Sequence, residues 1–427
     1  MTAALAQKTH HDALETRAPE QREADLMPRL ARQVAHAKAH APAFAELLRD
    51  VEPATIRSRA ALAHLPVTRK HQLLERQKAL RASDVFGGFA TIGWGPLKAQ
   101  RHGALRVYAS PGTIYEPEGL GADYWRMARA LFAAGFRAGD LAHNCFSYHF
   151  TPAGLMMETG AHALGCTVFP GGTGQTEQQV MAMAELAPAG YIGTPSFLKL
   201  ILEKAAEMGV ALVSLKKASV GGEAFMPSLR DWLLARGVDA YQCYGTADLG
   251  LIAYETPARE GLVLDEGVIV EIVRPGTGDT VPAGEVGEVV VTTLNPDYPL
   301  IRFGTGDLSA VLPGTCPTGR TNTRIKGWLG RADQTAKVRG MFVHPAQVAD
   351  IARRHPEVKK ARLVISGEMA NDLMVLHVEV GHAEEGLSER IAQSIRDVTK
   401  LRGEVRLCEP GGLANDGRVI EDARRYE

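Results

Sequence analysis

A repeated alternation of helical and strand patterns between residues 123 and 249 constrains the fold more than any other feature of the sequence. Residues 123–136 carry apolar side chains on one broad face, which is typical of a helix, and residues 140–146 form an apolar run that indicates a buried strand. The pattern repeats with a helix at residues 155–164 and a strand at residues 166–169. Helices that alternate with strands are typical of a parallel sheet covered by helices. We therefore expect ligands at the carboxyl ends of these strands.

The regions that follow have different patterns. Residues 268–273 and 287–293 are apolar or alternating runs, which indicates a β subdomain packed on the main sheet. Three acidic residues close to this subdomain are interpreted as solvated charges: Glu255, Asp265 and Glu266. Residues 345–408 have the patterns of a helix, two strands, a helix and a strand. The sequence therefore predicts an α/β fold, with a large N-terminal domain of wound sheets, helices and a β subdomain, and a small α+β C-terminal domain.

Net charge and cysteine pattern exclude several classes of protein. The formal net charge is −1, so no bulk field favours nucleic acid or an anionic membrane. The five cysteines are scattered, which argues against a disulfide framework or a cysteine-rich zinc site and favours a reducing compartment. No apolar run is long enough to span a bilayer, and residues 1–8 lack the pattern of a signal peptide. We expect a cytoplasmic protein whose partners are small molecules.

The stretch from residue 298 to residue 345 crowds charged residues between glycines. An apolar strand pattern leads into residues 304–308, which we interpret as a turn that ends the strand and presents the carboxylate of Asp307. The segments 302–307 and 330–345 resemble the ribose-binding and hinge motifs of adenylate-forming acyl-CoA ligases. Within that group the sequence is most similar to the phenylacetate-CoA ligase family.

The resemblance implies roles for residues of these two motifs. Asp307 would hold the ribose hydroxyls, and Arg331 would help to orient the nucleotide. Both assignments agree with side-chain chemistry, because a carboxylate accepts two hydroxyl donors and a guanidinium offers a planar fork to oxygens. Asp333 would be the hinge between an N-terminal domain (1–332), which carries the acid and nucleotide sites, and a mobile C-terminal domain (333–427).

Two further motifs are similar to the family's adenine and metal sites. One wall of the adenine site would be formed by a turn: Gly221, Gly222 and Glu223. In the next motif, Tyr244 would stack on adenine beside Gly245, and Asp248 would hold Mg²⁺, which binds carboxylate oxygens readily. The family places a hydroxyl for the α-phosphate where this sequence has Ala247, and the neighbouring Thr246 can supply one instead.

Residues 105–117 lie where the family has its phosphate-binding loop. Such loops close backbone N–H groups and hydroxyls on phosphate oxygens, and three residues fit this pattern: Ser110, Gly112 and Thr113. Pro111 removes an N–H group, and Glu116 brings negative charge to the position that phosphates would approach. Two interpretations stay open: the loop still covers the triphosphate in an altered way, or it is a structural turn without phosphate binding.

Two segments are candidates for an acid pocket, and the second of them, residues 170–177, resembles the family's glycine-rich loop beside that pocket. Residues 147–154 follow a predicted strand, and their aromatic side chains could line a pocket for a ring-bearing acid: Tyr148, His149 and Phe150. In the loop 170–177, Gly172 and Gly174 would let a flat substrate approach the backbone, and Thr176 is expected to cap the next helix. Core packing is the alternative interpretation of the aromatic residues.

The C-terminal tail corresponds to the loop in which the family carries its adenylation lysine. That position is Arg418 here, which keeps the positive charge but changes the donor geometry. Lys337 and Arg339, across the hinge, are alternative catalytic cations. An exposed charge without a catalytic role is the other interpretation of Arg418.

The resemblance implies ATP-dependent activation of an aromatic or other small carboxylic acid to an acyl-adenylate, followed by thioester formation with coenzyme A. The cofactors would be ATP, Mg²⁺ and coenzyme A, and a homodimer is left open. One alternative is a nucleotide- or acyl-CoA-binding regulator without catalysis, which the departures at residues 111–116, Ala247 and Arg418 favour. Another is an adenylating enzyme whose acceptor is an amine or a carrier protein.

Overall fold

The computed structural model describes residues 9–95, 103–273, 278–332, 336–339, 341–367, 372–382, 384–413 and 419–424. The chain divides into two units, Met1–Gly330 and Arg331–Glu427. The roles expected for an N-terminal and a C-terminal domain stay predictions. Among the described residues, no helix has both the length and the apolar character that a membrane span requires.

The larger unit contains helices and strands throughout its described residues. Its α-helices are α1 (Pro19–His40), α2 (Pro42–Leu47), α3 (Arg59–Ala63), α4 (Lys70–Leu80), α5 (Ala128–Ala133), α6 (Ala153–Ala163), α7 (Thr176–Leu186), α8 (Pro195–Glu207) and α9 (Pro227–Leu234), with short 3₁₀ helices at Ala13–Thr16 and Pro53–Thr55. Its strands are β1 (Thr68–Arg69), β2 (Arg106–Ser110), β3 (Ile114–Glu118), β4 (Leu141–Asn144), β5 (Thr167–Phe169), β6 (Gly190–Gly193), β7 (Lys217–Val220), β8 (Asp239–Thr246), β9 (Gly250–Glu255), β10 (Leu262–Leu264), β11 (Val268–Val273), β12 (Gly287–Thr293), β13 (Phe303–Ser309), β14 (Val311–Leu312) and β15 (Arg324–Ile325).

A nine-stranded sheet positions most of the residues of interest. Its order is β14-β15-β10-β9-β8-β7-β6-β4-β5. The strands from β8 to β5 are parallel, and α6 to α9 connect them in sequence. The remaining strands pair antiparallel. The predicted α/β fold with a helix-covered parallel sheet is therefore confirmed.

Helix α8 shows how the sequence fixes these connections. Thr194 precedes the helix, and its hydroxyl oxygen accepts a hydrogen bond from the Phe197 backbone N–H at 3.4 Å. Leu198, Ile201 and Ala205 follow at helical spacing, and all three are buried against the sheet. A cap and one apolar face are thus enough to define this helix.

The predicted cap of helix α7 is wrong. Thr176 is the first helical residue, and the residue before it, Gln175, has a left-handed backbone with φ of +50°. Gly174 is also left-handed, with φ of +76°. Two successive left-handed residues turn the chain into the helix one residue early, so the threonine side chain does not take the capping position.

The helix predicted at residues 123–136 is also shorter than expected. Only Ala128–Ala133 is helical, because Asp123 and Arg126 have positive φ values of 50° and 65°. Arg126 donates to the carboxylate of Asp265 at 2.7 Å, a contact that local periodicity does not reveal. Long-range pairing thus overrides the helical pattern in this segment.

A four-stranded sheet, β1-β13-β12-β11, forms the expected β subdomain. The short strand β1 pairs parallel with β13, and the buried side chain of Arg302, just before β13, fixes this pairing. Its guanidinium donates to Glu271 Oε2 at 3.0 Å and to the carbonyl oxygens of Ala63, Leu65 and Gly278 at 2.5 to 2.8 Å. One arginine therefore joins the segment before β1 to the β subdomain.

Three acidic residues interpreted as solvated charges are buried instead. Each has an arginine partner from a distant part of the chain, at 2.7 to 3.0 Å: Glu255 with Arg230, Asp265 with Arg126 and Glu266 with Arg22. A buried carboxylate needs such a partner because its desolvation is costly. The interpretation from sequence is wrong because the partners lie far away in the chain.

The smaller unit is an α+β fold in its described residues. Its elements are β16 (Ala336–Val338), β17 (Met341–Val343), α10 (Pro345–Arg353), β18 (Val358–Ser366), β19 (Leu373–Val380), α11 (Leu387–Thr399), β20 (Glu404–Cys408) and β21 (Ile420–Asp422). Four of the strands form a sheet of order β20-β19-β18-β21. Leu387, Ile391 and Ile395 form the buried face of α11 within the core of this unit.

We predict that Arg302→Met destabilises the larger unit by about 3–5 kcal/mol, because Glu271 would remain buried without its partner. The measurement is urea unfolding followed by tryptophan fluorescence, since all four tryptophans precede residue 331. The control is Arg59→Met, which removes an exposed pair with Glu23, at 41% exposure on each side, and is expected to cost about 1 kcal/mol or less. Equal losses in the two variants would contradict the role given to Arg302.

Candidate functional site

Asp307 lies inside strand β13, and two side chains hold its carboxylate. The strand end predicted before Gly304 is wrong, because β13 pairs with β12 on both sides of a bulge and continues to Ser309. The Tyr244 hydroxyl donates to Oδ2 of Asp307 at 2.8 Å, and Trp328 Nε1 donates to Oδ1 at 3.1 Å. An ionised carboxylate accepts hydrogen bonds at about four lone-pair positions.

The structure thus brings together the two side chains expected to hold adenine and ribose. Tyr244 and Asp307 are 63 residues apart in the chain and come from different sheets. The Tyr244 ring is half-buried, with its hydroxyl also 3.2 Å from Oγ1 of Thr305. These contacts hold the hydroxyl end of the ring beside the carboxylate.

The turn after Tyr244 depends on two glycines. A Cβ atom at Gly245 would lie 2.6 Å from the carbonyl oxygen of Gly250 in strand β9, so no other residue fits there without a shift. Thr246 follows, and its Oγ1 accepts a hydrogen bond from the Leu249 N–H at 3.2 Å. Since a hydroxyl also carries a donor hydrogen, Thr246 keeps the donor that Ala247 lacks.

The turn from Gly221 to Glu223 lies at the end of strand β7, next to β8. A Cβ atom at Gly221 would lie 3.0 Å from the carbonyl oxygen of Cys243, so packing between neighbouring strands requires glycine. Gly222 has φ of +79°, which favours glycine for conformational reasons. The Glu223 carboxylate accepts a hydrogen bond from the Ser196 N–H at 2.7 Å, at the start of helix α8. This carboxylate is thus engaged by the helix.

Asp248 is buried and has a partner that sequence reasoning missed. Lys70 is the first residue of helix α4, and its Nζ donates to Asp248 Oδ2 at 2.9 Å. The other oxygen, Oδ1, is buried and has no hydrogen-bond partner among the described residues. No role was predicted for Lys70, and the available signal was a lysine at the start of a helix.

Glu116 is the second buried carboxylate at this place. Its Oε1 accepts a hydrogen bond from the Ser110 hydroxyl across the hairpin, and its Oε2 has no partner among the described residues. Burial and the negative charge of Asp248 raise the pKa of the Glu116 carboxyl to about 8, while Lys70 and Ser110 act in the opposite direction. Glu116 and Asp248 are therefore two buried carboxyl groups that lie close enough for their charges to interact.

The predicted phosphate loop is the turn of the β2–β3 hairpin. Ser110 and Ile114 are paired, and Gly112 and Thr113 are exposed at the tip with φ of +102° and +59°. The Thr113 carbonyl oxygen accepts from Arg81 at 2.8 Å. The hydroxyl of Ser110 is engaged by a carboxylate, whereas Gly112 and Thr113 are accessible.

The residues expected in the acid pocket follow strand β4. Tyr148 donates from its hydroxyl to Glu158 at 2.8 Å and accepts from Asn144 Nδ2 at 2.8 Å. His149 is exposed, and Phe150 is 81% exposed with φ of +59°. Core packing is therefore excluded for Phe150.

Sequence reasoning missed the residues that hold the glycine-rich loop. Gln179 in helix α7 donates to the carbonyl oxygens of Gly171 at 2.9 Å and Gly172 at 3.2 Å. Its side-chain oxygen lies 2.5 Å from Nε2 of the buried His143. Added Cβ atoms at Gly172 and Gly174 would meet nothing within 4 Å, so these glycines serve the backbone conformation, with φ of +67° and +76°.

In the smaller unit, two cations face one aromatic ring. The guanidinium of Arg331 lies 5.4 Å and Nζ of Lys337 5.8 Å from the centroid of Phe342. The expected adenylation cation, Arg418, and the expected hinge, Asp333, lie outside the described residues. The roles of all four stay predictions.

Comparisons with known proteins agree with this geometry. A family model described as AMP-binding enzyme matches residues 122–295. A structure of 2-hydroxyisobutyryl-CoA ligase in complex with 2-HIB-AMP and CoA matches with a TM-score of 0.83 and 25% identity, covering 96% of this chain and 92% of that one. The fold is therefore that of adenylate-forming CoA ligases.

Full-length relatives define the family more closely. The phenylacetate-coenzyme A ligase of Thermus thermophilus is 32% identical, with 93% of this chain and 95% of that protein covered. The phenylacetate-coenzyme A ligase of Aromatoleum evansii is 31% identical, with 90% and 89% covered. The chain belongs to the phenylacetate-CoA ligase family.

We predict that Gly304→Ala destabilises the strand that carries Asp307. An added Cβ atom would lie 2.7 Å from Glu288 Oε1 and 2.8 Å from Arg69 Nη1, two groups that pair under the Asp307 strand. Overpacking of this kind costs about 1–3 kcal/mol, which a thermal melt would detect. The control is Gly121→Ala, whose Cβ atom would make only contacts of 3.8 Å or more. A melting temperature equal to that of the control would contradict this prediction.

Proposed function

We propose that the chain is an AMP-forming acid–CoA ligase, which activates a small carboxylic acid with ATP and transfers the acyl group to coenzyme A. The observation that carries the proposal is the contact of 2.8 Å between Tyr244 and Asp307. It places an aromatic face and a carboxylate side by side, as a nucleoside requires. Membership of the phenylacetate-CoA ligase family supports the same conclusion.

The first half-reaction needs orientation more than chemical participation by side chains. Tyr244 would stack on adenine, Asp307 would accept hydrogen bonds from the ribose hydroxyls, and Thr246 would donate to the α-phosphate. A carboxylate oxygen of the substrate then attacks the α-phosphorus in line, and pyrophosphate leaves. Holding both reactants in this geometry lowers the entropic part of the barrier, so no side-chain nucleophile is needed.

The residues at Asp248 fit the divalent cation that such a reaction uses. Asp248 Oδ1 is a buried carboxylate oxygen without a partner among the described residues, and Mg²⁺ is bound by one or two carboxylates together with waters and phosphates. No group of three or more His, Cys, Asp or Glu residues within the described ranges could hold a metal ion. Asp248 would hold Mg²⁺, which would neutralise phosphate charge.

The acid would lie at the carboxyl end of strand β4. The loop with Gly172 and Gly174 offers open backbone, and Tyr148, His149 and Phe150 border the same end of the strand. Exposed Phe150 supplies an apolar face that a ring-bearing acid can cover. We therefore propose an aromatic acid or another small acid with an apolar body.

The second half-reaction involves the smaller unit. Rotation about Asp333 would admit the thiol of coenzyme A, whose sulfur attacks the acyl carbon while AMP leaves. A cation from the smaller unit, Arg418 or Lys337, would neutralise negative charge during adenylation. Arg331 would orient the nucleotide.

The decisive experiment is pyrophosphate release with a panel of aryl and short aliphatic acids in the presence of ATP and Mg²⁺. Release with at least one acid, followed by thioester formation only when coenzyme A is present, is the expected outcome. Release without dependence on coenzyme A would identify an amine or carrier-protein acceptor. No release across the panel, together with intact nucleotide binding, would support a regulator instead, a function that Glu116 in the hairpin and Ala247 favour.

We predict that Asp307→Ala lowers the affinity for AMP by about tenfold or more, because hydrogen bonds to a charged group contribute about 1.5–3 kcal/mol. Titration calorimetry measures the effect. Asp239→Ala is the control, because it removes a carboxylate at the opposite end of the strand that carries Tyr244. Unchanged affinity in Asp307→Ala would overturn the ribose assignment.

Tyr244 separates ring stacking from hydrogen bonding. Tyr244→Phe removes the bond to Asp307 but keeps the aromatic face, so we expect AMP affinity within about fivefold of the wild type. Tyr244→Leu removes the face as well, and stacking on an aromatic side chain contributes about 1–3 kcal/mol per base. Equal affinities of the two variants would show that the ring does not contact the base.

A further inference from the structure

Three buried oxygen atoms have no hydrogen-bond partner within the part of the chain that the structure describes. They are Oε2 of Glu116, Oδ1 of Asp248 and the hydroxyl of Tyr298, and the three residues are 0%, 3% and 1% exposed. Burial, followed by the charges of Asp248 and Glu116, raises the pKa of Tyr298 well above its usual value, which places all three groups in one neighbourhood. Buried polar atoms are almost always paired, so three at one place indicate a missing ligand.

Among the residues that the structure describes, the charges at this place do not balance. Each carboxylate has one satisfied oxygen: the Ser110 hydroxyl donates to Glu116, and Lys70 Nζ donates to Asp248 at 2.9 Å. Ser110 brings no charge, so one ammonium group faces two carboxyl groups. A buried negative charge without a partner is costly, and the two remaining carboxylate oxygens are the donor atoms that hard divalent cations prefer.

We propose that Glu116 and Asp248 together hold a divalent cation, through Glu116 Oε2 and Asp248 Oδ1, and that Lys70 balances the charge of Asp248 when the cation is absent. Two carboxylates leave the remaining positions of an octahedral ion to waters and phosphate oxygens. Tyr298 lies in the same neighbourhood, and its hydroxyl, which has no partner among the described residues, can donate to a metal-bound water. The proposal extends the proposed function by adding a second ligand to the site of Asp248.

This arrangement also explains an acid in a phosphate-binding hairpin. A bare carboxylate at Glu116 would repel a triphosphate, whereas a cation held between Glu116 and the phosphates attracts both. The exposed hairpin tip, with Gly112 and Thr113, could then contact phosphate oxygens through its backbone. The two halves of the hairpin thus have different tasks: the tip contacts phosphates directly, and the strand does so through the cation.

The test measures Mn²⁺ binding to the full chain without nucleotide. Binding is detected in electron paramagnetic resonance as a decrease in the signal of the free ion. We expect the wild type to bind Mn²⁺ and Glu116→Gln to bind it about tenfold or more weakly, since a neutral amide replaces a charged ligand. The control is Glu118→Gln, which removes a buried carboxylate two residues further along β3, bound to Tyr108 and Arg106. Its affinity should stay within about threefold of the wild type, because it lies outside the pair.

The variant Lys70→Met provides a second, independent test of the cation site. Without the competing ammonium group, Mn²⁺ affinity should rise by about threefold or more. The melting temperature of this variant should fall in EDTA and recover with Mn²⁺, because the ion then compensates both carboxylates. The recovery should be larger than that of the wild type.

Three results would overturn the proposal: no Mn²⁺ binding by the wild type, an unchanged affinity in Glu116→Gln, or weaker binding in Lys70→Met. If the wild type bound no Mn²⁺, a proton shared between the two carboxyl groups would explain how their negative charge is compensated. Because the titration uses no ATP, its outcome is independent of the proposed ligase activity. A chain that binds Mn²⁺ through Glu116 but releases no pyrophosphate would refute the ligase and keep the cation site.

Discussion

The parallel pairing of β1 with β13 is the contact on which the site depends. Thr68 donates its N–H to the Arg302 carbonyl oxygen at 2.9 Å, and this short strand leads directly into helix α4. The next two residues then contact acids of different sheets: Arg69 pairs with Glu288 in β12, and Lys70 pairs with Asp248 after β8. A two-residue strand therefore fixes the Asp307 strand and the Asp248 turn relative to each other.

Backbone conformation in the site follows from this close approach. The Arg69–Glu288 pair lies so close to Gly304 that a Cβ atom has no room there. The Gly306 N–H donates to Glu288 at 3.3 Å. Glycine in β13 thus serves the packing of a buried ion pair more than the flexibility of a loop. This is why the motif looks like a turn in the sequence and is a bulged strand in the structure.

Periodicity predicted the sheet and its connecting helices, because these depend on local patterns. The resemblance to the family implied that Tyr244 and Asp307 would hold parts of one nucleotide. They did not predict Lys70 on Asp248, nor the burial of Glu255, Asp265 and Glu266, because a single sequence does not show which distant residue will neutralise a charge. Backbone strain was missed for a similar reason. Gln175 and Arg126 adopt positive φ, which non-glycine residues rarely do, and Arg126 is held by its distant partner Asp265.

Glu116 shows how a change that looks unfavourable in sequence becomes consistent in the fold. In strand β3 the side chains of Glu116 and Glu118 point to the same face, since alternate residues of a strand share a face, and both are buried. Glu118 is neutralised by Arg106 and bound by Tyr108. Among the described residues, Glu116 is bound by the Ser110 hydroxyl, and the charge of Lys70, which is bonded to Asp248, acts on it from further away. The two acids thus differ in one respect: the hairpin supplies a cation for Glu118 and none for Glu116. Under the proposed cation site, strand β3 holds the Glu116 carboxylate where it can bind a cation together with Asp248. The acid in this hairpin would then contact phosphate groups through a bound cation instead of repelling them.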